Sequence, residues 1–134
     1  CVHLINGLPG ETPVQMVESA WQVGLLHPDA VKLQLLHVIR GTALADWYNT
    51  GRFSVMSQAE YVSVILRQLE VLPPETVIER ITGDGDRNKL IAPLWSMRKI
   101  AVLSAIDKAQ AQAGSWQGKA VAATLHNTCQ VALP

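Results

Sequence analysis

The chain has 134 residues, with eleven basic and eleven acidic side chains that cancel to a formal net charge of zero. Hydrophobic residues make up 49% and charged residues 16%, which suits a buried α/β core and excludes a disordered chain. No basic stripe advertises nucleic acid, no polybasic run a membrane surface, and no apolar run approaches the ~20 residues needed to cross a bilayer.

The length is that of one domain, able to bury roughly 68% of its unfolded surface. The two cysteines, Cys1 and Cys129, stand at opposite ends. They form no C-x-x-C or C-x-x-x-C cluster, so no metal site of known spacing is expected within the segment. No disulfide framework is expected either, and a reducing cytoplasm is the expected compartment. The chain opens without Met, inside an apolar run, and a lost preceding segment is therefore expected.

Val2 to Asn6 reads as a short strand, too brief and too β-branched for a helix. Gly7-Leu8-Pro9-Gly10-Glu11 is punctuated as a turn. Thr12 offers a helix N-cap, Pro13 the first helical position and Gln15 the return partner of a capping box. Val14, Val17, Trp21 and Gly24/Leu25 follow at helical spacing and are the expected inward stripe.

Val31 to Val38 reads as a second strand, apolar enough for burial on both faces of a parallel sheet. Thr42 caps a short helix from Ala43 to Asn49, closed by Gly51. Ser57 and Glu60 form a second capping box that opens a helix to about Leu72, stopped by Pro73-Pro74. Its inward residues are expected to be Val62, Ile65, Leu66 and Leu69. Thr76 to Thr82 is a third strand and Gly83 to Asp86 an acidic turn. A last helix is expected from Ser96 to Gln112 with Ile100, Leu103 and Ile106 inward, followed from Lys119 by a poorly ordered tail.

Strand–helix–strand order with helices over ten residues long predicts right-handed crossovers and a parallel sheet, either open and doubly wound or part of a (β/α) barrel. Both place ligands at the carboxyl ends of strands, here the Gly7–Glu11 and His37–Thr42 loops. Glycines there let backbone approach a ligand, although the same residues suit an ordinary strand-to-helix turn. The spacing is neither that of a P-loop nor that of a dinucleotide fingerprint. His37, at a strand end, suits acid–base chemistry by its ordinary pKa, or a plain hydrogen-bonded histidine. His3 alternates with Ile5 on the first strand, with both faces open to it. His27 beside Pro28 reads as a surface turn residue. Arg80, Arg87 and Lys89 around the Gly83–Asp86 turn could hold an anion or form a solvated turn that Asp84 and Asp86 neutralise. Trp47, Trp95 and Trp116 could each line a pocket, or simply pack with the indole N–H bonded at the surface.

The ordered set of motifs is more specific than its parts. Val2-His3-Leu4-Ile5-Asn6-Gly7-Leu8-Pro9-Gly10-Glu11-Thr12, then Lys32-Leu33-Gln34-Leu35-Leu36-His37-Val38-Ile39-Arg40-Gly41-Thr42, resemble the fifth and sixth strands of the radical S-adenosylmethionine (SAM) barrel with their exits. Leu72-Pro73-Pro74-Glu75-Thr76-Val77-Ile78, Arg80-Ile81-Thr82-Gly83-Asp84-Gly85, Leu90-Ile91-Ala92-Pro93-Leu94-Trp95 and Gly114-Ser115-Trp116-Gln117-Gly118-Lys119 complete the pattern. Over residues 1–119 the chain resembles the YhcC-type subgroup of radical SAM proteins, related to the Elp3 and oxygen-independent coproporphyrinogen oxidase types.

The resemblance implies an α/β fold: the C-terminal portion of a partial (β/α)6 TIM-like barrel, with parallel strands, covering helices and a C-terminal strand and helix extension. Residues 1–55 would be the last βα units, 56–118 the extension and 119–134 the tail. It implies an enzyme parent that binds SAM and a 4Fe-4S cluster, cleaves SAM reductively and forms a 5′-deoxyadenosyl radical that attacks a substrate the sequence does not identify. The cluster cysteines, a C-x-x-x-C-x-x-C loop, would lie in a missing N-terminal half, so this segment alone is expected to lack the reaction and to hold no metal. Ile5 matches the position that packs on the adenine, Gly7 and Gly10 the glycines of the strand exit, and Leu36 and His37 the strand end whose backbone meets the adenine edge. His3 stands where coproporphyrinogen oxidase relatives carry an acidic SAM contact, and an imidazole there could bond a ribose hydroxyl. Kinship with Elp3 makes tRNA a partner by analogy only, and no membrane partner is implied. The competing expectations are a non-catalytic fragment or interaction module, and half of an unrelated phosphate-binding barrel.

Overall fold

In the computed structural model, which describes residues 1–83 and 85–122, three parallel strands lie in the order β1-β2-β4. They are β1 (Val2–Asn6), β2 (Ala30–Leu35) and β4 (Val77–Arg80). Strand β1 runs beside β2 from Val2↔Val31 to Asn6↔Leu35, and β2 pairs β4 at Ala30↔Val77 and Val31↔Ile78 before a bulge. The parallel sheet and its helical crossovers are as the element order predicts.

Three helices, α1 (Pro13–Gly24), α3 (Gln58–Val71) and α4 (Lys99–Ala113), contribute to one continuous core. That core joins Val31, Leu33 and Leu35 of β2 to Ala20 of α1, to Tyr61, Ile65 and Leu69 of α3, and to Val102 and Ile106 of α4. Both capping boxes form as the spacing predicts: Thr12 with Gln15, and Ser57 with Glu60. A fourth helix, α2 (Ala43–Asn49), is capped by Thr42.

Among the described residues no helix covers the opposite sheet face. His3, Ile5, Lys32, Gln34 and Glu79 lie there, with Lys32 Nζ 3.0 Å from a Glu79 carboxylate oxygen and Gln34 Nε2 3.5 Å from His3 Nδ1. Strand β2 is therefore covered on one face, not two, which is why polar residues interrupt its apolar run. It also ends at Leu35 rather than Val38.

The chain then changes sheets. Strand β3 (Val38–Ile39) runs antiparallel to β5 (Leu90–Ala92), pairing Val38↔Ala92 and Ile39↔Leu90. The Arg40 N–H donates to the Lys89 carbonyl at 2.8 Å. Val38, Ala45 and Ala92 form a second small core there. Strand β5 was not expected, because three residues beside a proline are too short to show a period. After it, a cis Ala92–Pro93 peptide leads to a 3-10 turn, Leu94–Met97, and α4 starts at Lys99, not Ser96.

Two expected inward stripes hold only in part: Gly24 on α1 and Ile106 on α4 are buried as expected, but other members of each face outward. On α1 the buried residues are Met16, Ala20 and Gly24, while Val14, Trp21 and Leu25 are exposed. On α4 Val102 and Ile106 are buried, whereas Ile100 is 83% exposed and Leu103 is exposed as well. On α1 the close approach of Val71 and Pro73, 3.0 and 3.1 Å from where a Cβ on Gly24 would lie, leaves room only for glycine at that point of the inward face. On α3 Val62, Ile65 and Leu69 are buried as expected, together with Tyr61, Val64 and Gln68.

Residues 119–122 are helical and tied down, with the Gly118 N–H bonded to the Leu69 carbonyl at 3.0 Å. The remainder of the expected tail, residues 123–134, and Asp84 lie outside the described residues. No helix among the described residues is long and apolar enough to cross a membrane.

Candidate functional site

The parallel pairing brings the carboxyl ends of β1 and β2 side by side. The Leu36 N–H donates to the Asn6 carbonyl at 2.9 Å, so the two exits are joined by one hydrogen bond beyond the last paired residues. With its N–H engaged, Leu36 offers its carbonyl as the remaining backbone group. Gly7 follows at φ +86°, and a Cβ built there would lie 3.2 Å from Met56 Cγ and Sδ, so conformation and close approach both select glycine. Glu11 N–H donates to the Leu8 carbonyl at 3.0 Å, which closes the turn.

Along β1 this turn borders a cleft of about 280 Å³ lined by His3, Ile5, Asn6, Leu8, Glu11 and helix residues including Gln68. Ile5 is 46% and Leu8 45% exposed, an apolar shelf at the strand exit. Its floor is polar but satisfied. Asn6 and Gln68, both buried, exchange two amide hydrogen bonds of 2.8 Å, and Gln68 also donates to the Met16 carbonyl at 2.9 Å. Beside them the Tyr61 hydroxyl donates to the Ile81 carbonyl and lies 3.5 Å from the Leu33 carbonyl. Burial lifts the Tyr61 phenol above its ordinary pKa, a contact with Asn6 opposing the rise.

His37 points elsewhere. Its imidazole lies against Gly83 and Gly85: a Cβ on Gly83 would fall 2.7 Å from His37 Cε1, and one on Gly85 2.8 Å from Nδ1. Only residues without a side chain leave room for the ring. The β3–β5 ladder explains the meeting, because it returns the segment after β4 to the exit of β2. A cavity of about 150 Å³ opens here, lined by His37, both glycines, Arg87, Ser96 and Lys99 among others. His37 Nε2 is buried without a hydrogen-bond partner. Burial, then the nearby Lys99 charge, holds the ring below the ordinary histidine pKa.

Of the residues singled out from sequence, His3, Ile5 and Gly7 thus line one strand exit and Leu36 adjoins it. Gly10 lies farther out, exposed at φ +83° with nothing near its missing Cβ. The His37 side chain belongs to a second cavity. Sequence reasoning missed Asn6 and Gln68, whose signal is a polar residue interrupting an apolar pattern. It also missed the packing of Gly83 and Gly85 on His37, which depends on the unexpected β5. His27 sits at the surface 3.2 Å from Glu75, as expected, and Trp95 packs on Tyr61 while donating to the Met56 carbonyl at 3.0 Å.

Among the described residues no cluster of His, Cys, Asp and Glu could hold a metal ion. The family described as Radical_SAM C-terminal domain matches residues 28–112. The protein YtqA of Bacillus subtilis is 44% identical over 119 residues, which cover 89% of this chain and 37% of that protein. YhcC of Escherichia coli is 30% identical over 108 residues, 81% of this chain and 35% of that protein. The fold is similar to that of Elp3 from the archaeon Methanocaldococcus infernus, solved without residues 1–46, with a TM-score of 0.68 at 21% identity over 86% of this chain and 27% of that one. The chain spans little more than a third of the curated relatives it matches.

Proposed function

We propose, from the premise that this chain belongs to the radical SAM family, that it supplies the nucleoside-binding side of a SAM-cleaving enzyme. The observation that carries the proposal is the joined exit of two parallel strands beneath an exposed apolar shelf. The residues present fit the nucleoside part of SAM. Ile5 and Leu8 offer a flat apolar contact for an adenine ring, and Gly7 keeps the turn low enough for a ring to approach. The Leu36 carbonyl is the backbone acceptor available to the exocyclic amine. The imidazole of His3, on the same face as Ile5, is positioned to bond a ribose hydroxyl. The doubly bonded Asn6–Gln68 pair holds the shelf from below and keeps water out of the strand end.

When bound, SAM and a 4Fe-4S cluster held outside this chain supply the radical chemistry of the family. This chain's part is orientation. A nucleoside fixed at one end presents the reacting end of the molecule at a defined place, which converts binding into rate.

The test uses the longer protein that contains this chain, reconstituted anaerobically with iron and sulfide. Reduction in the presence of SAM should release 5′-deoxyadenosine. A formed cluster with no such release overturns the reading. Ile5→Glu places a charge on the shelf and should weaken SAM binding tenfold or more while the cluster still forms.

A further inference from the structure

An adenine that lies on Ile5 and gives its exocyclic amine to the Leu36 carbonyl spans from β1 to the end of β2. One side chain stands on that path. Gln34 is the register partner of Ile5 in the parallel pair and precedes Leu36 by two positions. Alternation along each strand puts Ile5 and Gln34 on the same open sheet face. Neighbouring strands lie about 4.8 Å apart, so a flat ring resting on Ile5 and reaching toward β2 meets Gln34 along one edge.

The polar side chains around Gln34 are engaged with one another. Lys32 pairs with Glu79 at 3.0 Å, and the Asn6 and Gln68 amides bond each other in the core. The Gln34 amide differs. Its one hydrogen-bond contact among the described residues is the approach of Nε2 to His3 Nδ1 at 3.5 Å, long for such a bond. A primary amide carries two N–H donors and an acceptor oxygen, so one N–H and the whole of Oε1 remain for a ligand. The residue is half-buried, which strengthens any bond it makes there relative to one in open water.

A donor beside an acceptor has a defined complement. Adenine presents the N7 acceptor beside the N6 amine along one edge, and a glutamine amide bonds both at once. The amine has two hydrogens, so one can serve Gln34 Oε1 while the other serves Leu36. A purine with oxygen in place of that amine presents two acceptors, which one amide cannot match. We propose that Gln34 is the base-reading residue of the cleft, its amide bonded to N7 and N6 of the SAM adenine, an assignment that rests on SAM binding at the β1 exit.

The test is equilibrium dialysis of the longer protein, loaded with its cluster under anaerobic conditions and left unreduced, so that binding is read without turnover. The ligands are SAM and its 7-deaza analogue, in which a C–H replaces N7. Gln34→Met, close in size, should weaken SAM about tenfold and the analogue by no more than about twofold, because the analogue has already lost one of the two bonds. Gln34→Glu, of equal length but without the N–H, should likewise weaken SAM more than the analogue. The cluster absorbance of each variant reports that the fold is kept. Equal loss of both ligands, or no loss of SAM, overturns the proposal. Ile5→Glu separates this failure from that of the nucleoside reading. If Ile5→Glu leaves SAM affinity unchanged, the cleft is wrong and Gln34 falls with it; if it weakens SAM while Gln34→Met does not, Gln34 alone is wrong.

Discussion

The side-chain amides of Asn6 and Gln68 bond each other twice, each at 2.8 Å, beneath the exit of β1. One residue ends a strand and the other sits on a helix 62 positions later, so the pair ties α3 to the proposed nucleoside cleft. Such a pair is satisfied only as a pair.

Removing one partner therefore strands the other in the core. Asn6→Leu and Gln68→Leu should each destabilise by about 2 kcal/mol. The double substitution should cost less than the sum of the two, a coupling on the order of 1 kcal/mol. Urea unfolding with unchanged slope measures all three. Strict additivity would show that the two amides act independently.

Gly83→Ala drives a methyl to 2.7 Å from His37 Cε1 and should destabilise by roughly 1–3 kcal/mol. Placed on a His37→Ala background the same change should cost less than half as much, because the ring is gone. Equal cost in both backgrounds would mean that the glycine is needed for its backbone alone.

Two groups give opposite pH slopes. His37 resists protonation in the fold, mainly through burial and then through Lys99. As pH falls below about 6.5, the unfolded chain takes up this proton first, and stability should fall. His37→Gln should flatten that part of the curve. Tyr61 resists losing its proton, through burial. Above about pH 10 the unfolded chain ionises first and stability falls again, a slope that Tyr61→Phe should reduce. Denaturant midpoints across the pH range test both.

Thr12→Ala and Ser57→Ala each break a capping box and should cost about 1 kcal/mol. Thr12 also starts the helix that follows the Gly7–Glu11 turn. In the longer protein its loss should therefore weaken SAM binding more than Ser57→Ala does, read by equilibrium titration with SAM.

Much of this architecture was legible because its signals are local. The caps at Thr12, Thr42 and Ser57 and the strand Val2–Asn6 stand where side-chain chemistry and period put them. The helix faces were not legible: α1 has apolar residues on several sides, and Met16 and Ala20 are chosen by neighbours that the period does not contain. The strand-exit residues were readable from motif order, as was the parallel arrangement of β1 and β2. The His37 cavity was not, since it needs Gly83 and Gly85 brought back by a three-residue strand. A contact between positions 46 or more apart leaves no periodic trace in either segment.

The passage from β2 to β3 takes only Leu36 and His37, yet on one side lies a parallel register and on the other an antiparallel one. Connections at a protein surface usually absorb an extra residue without harm. Here an added residue would slide Val38 and Ile39 by one place against Leu90–Ala92 and turn each to the opposite face. This junction is accordingly a fixed-length spacer, and segment swaps between related chains should be cut elsewhere.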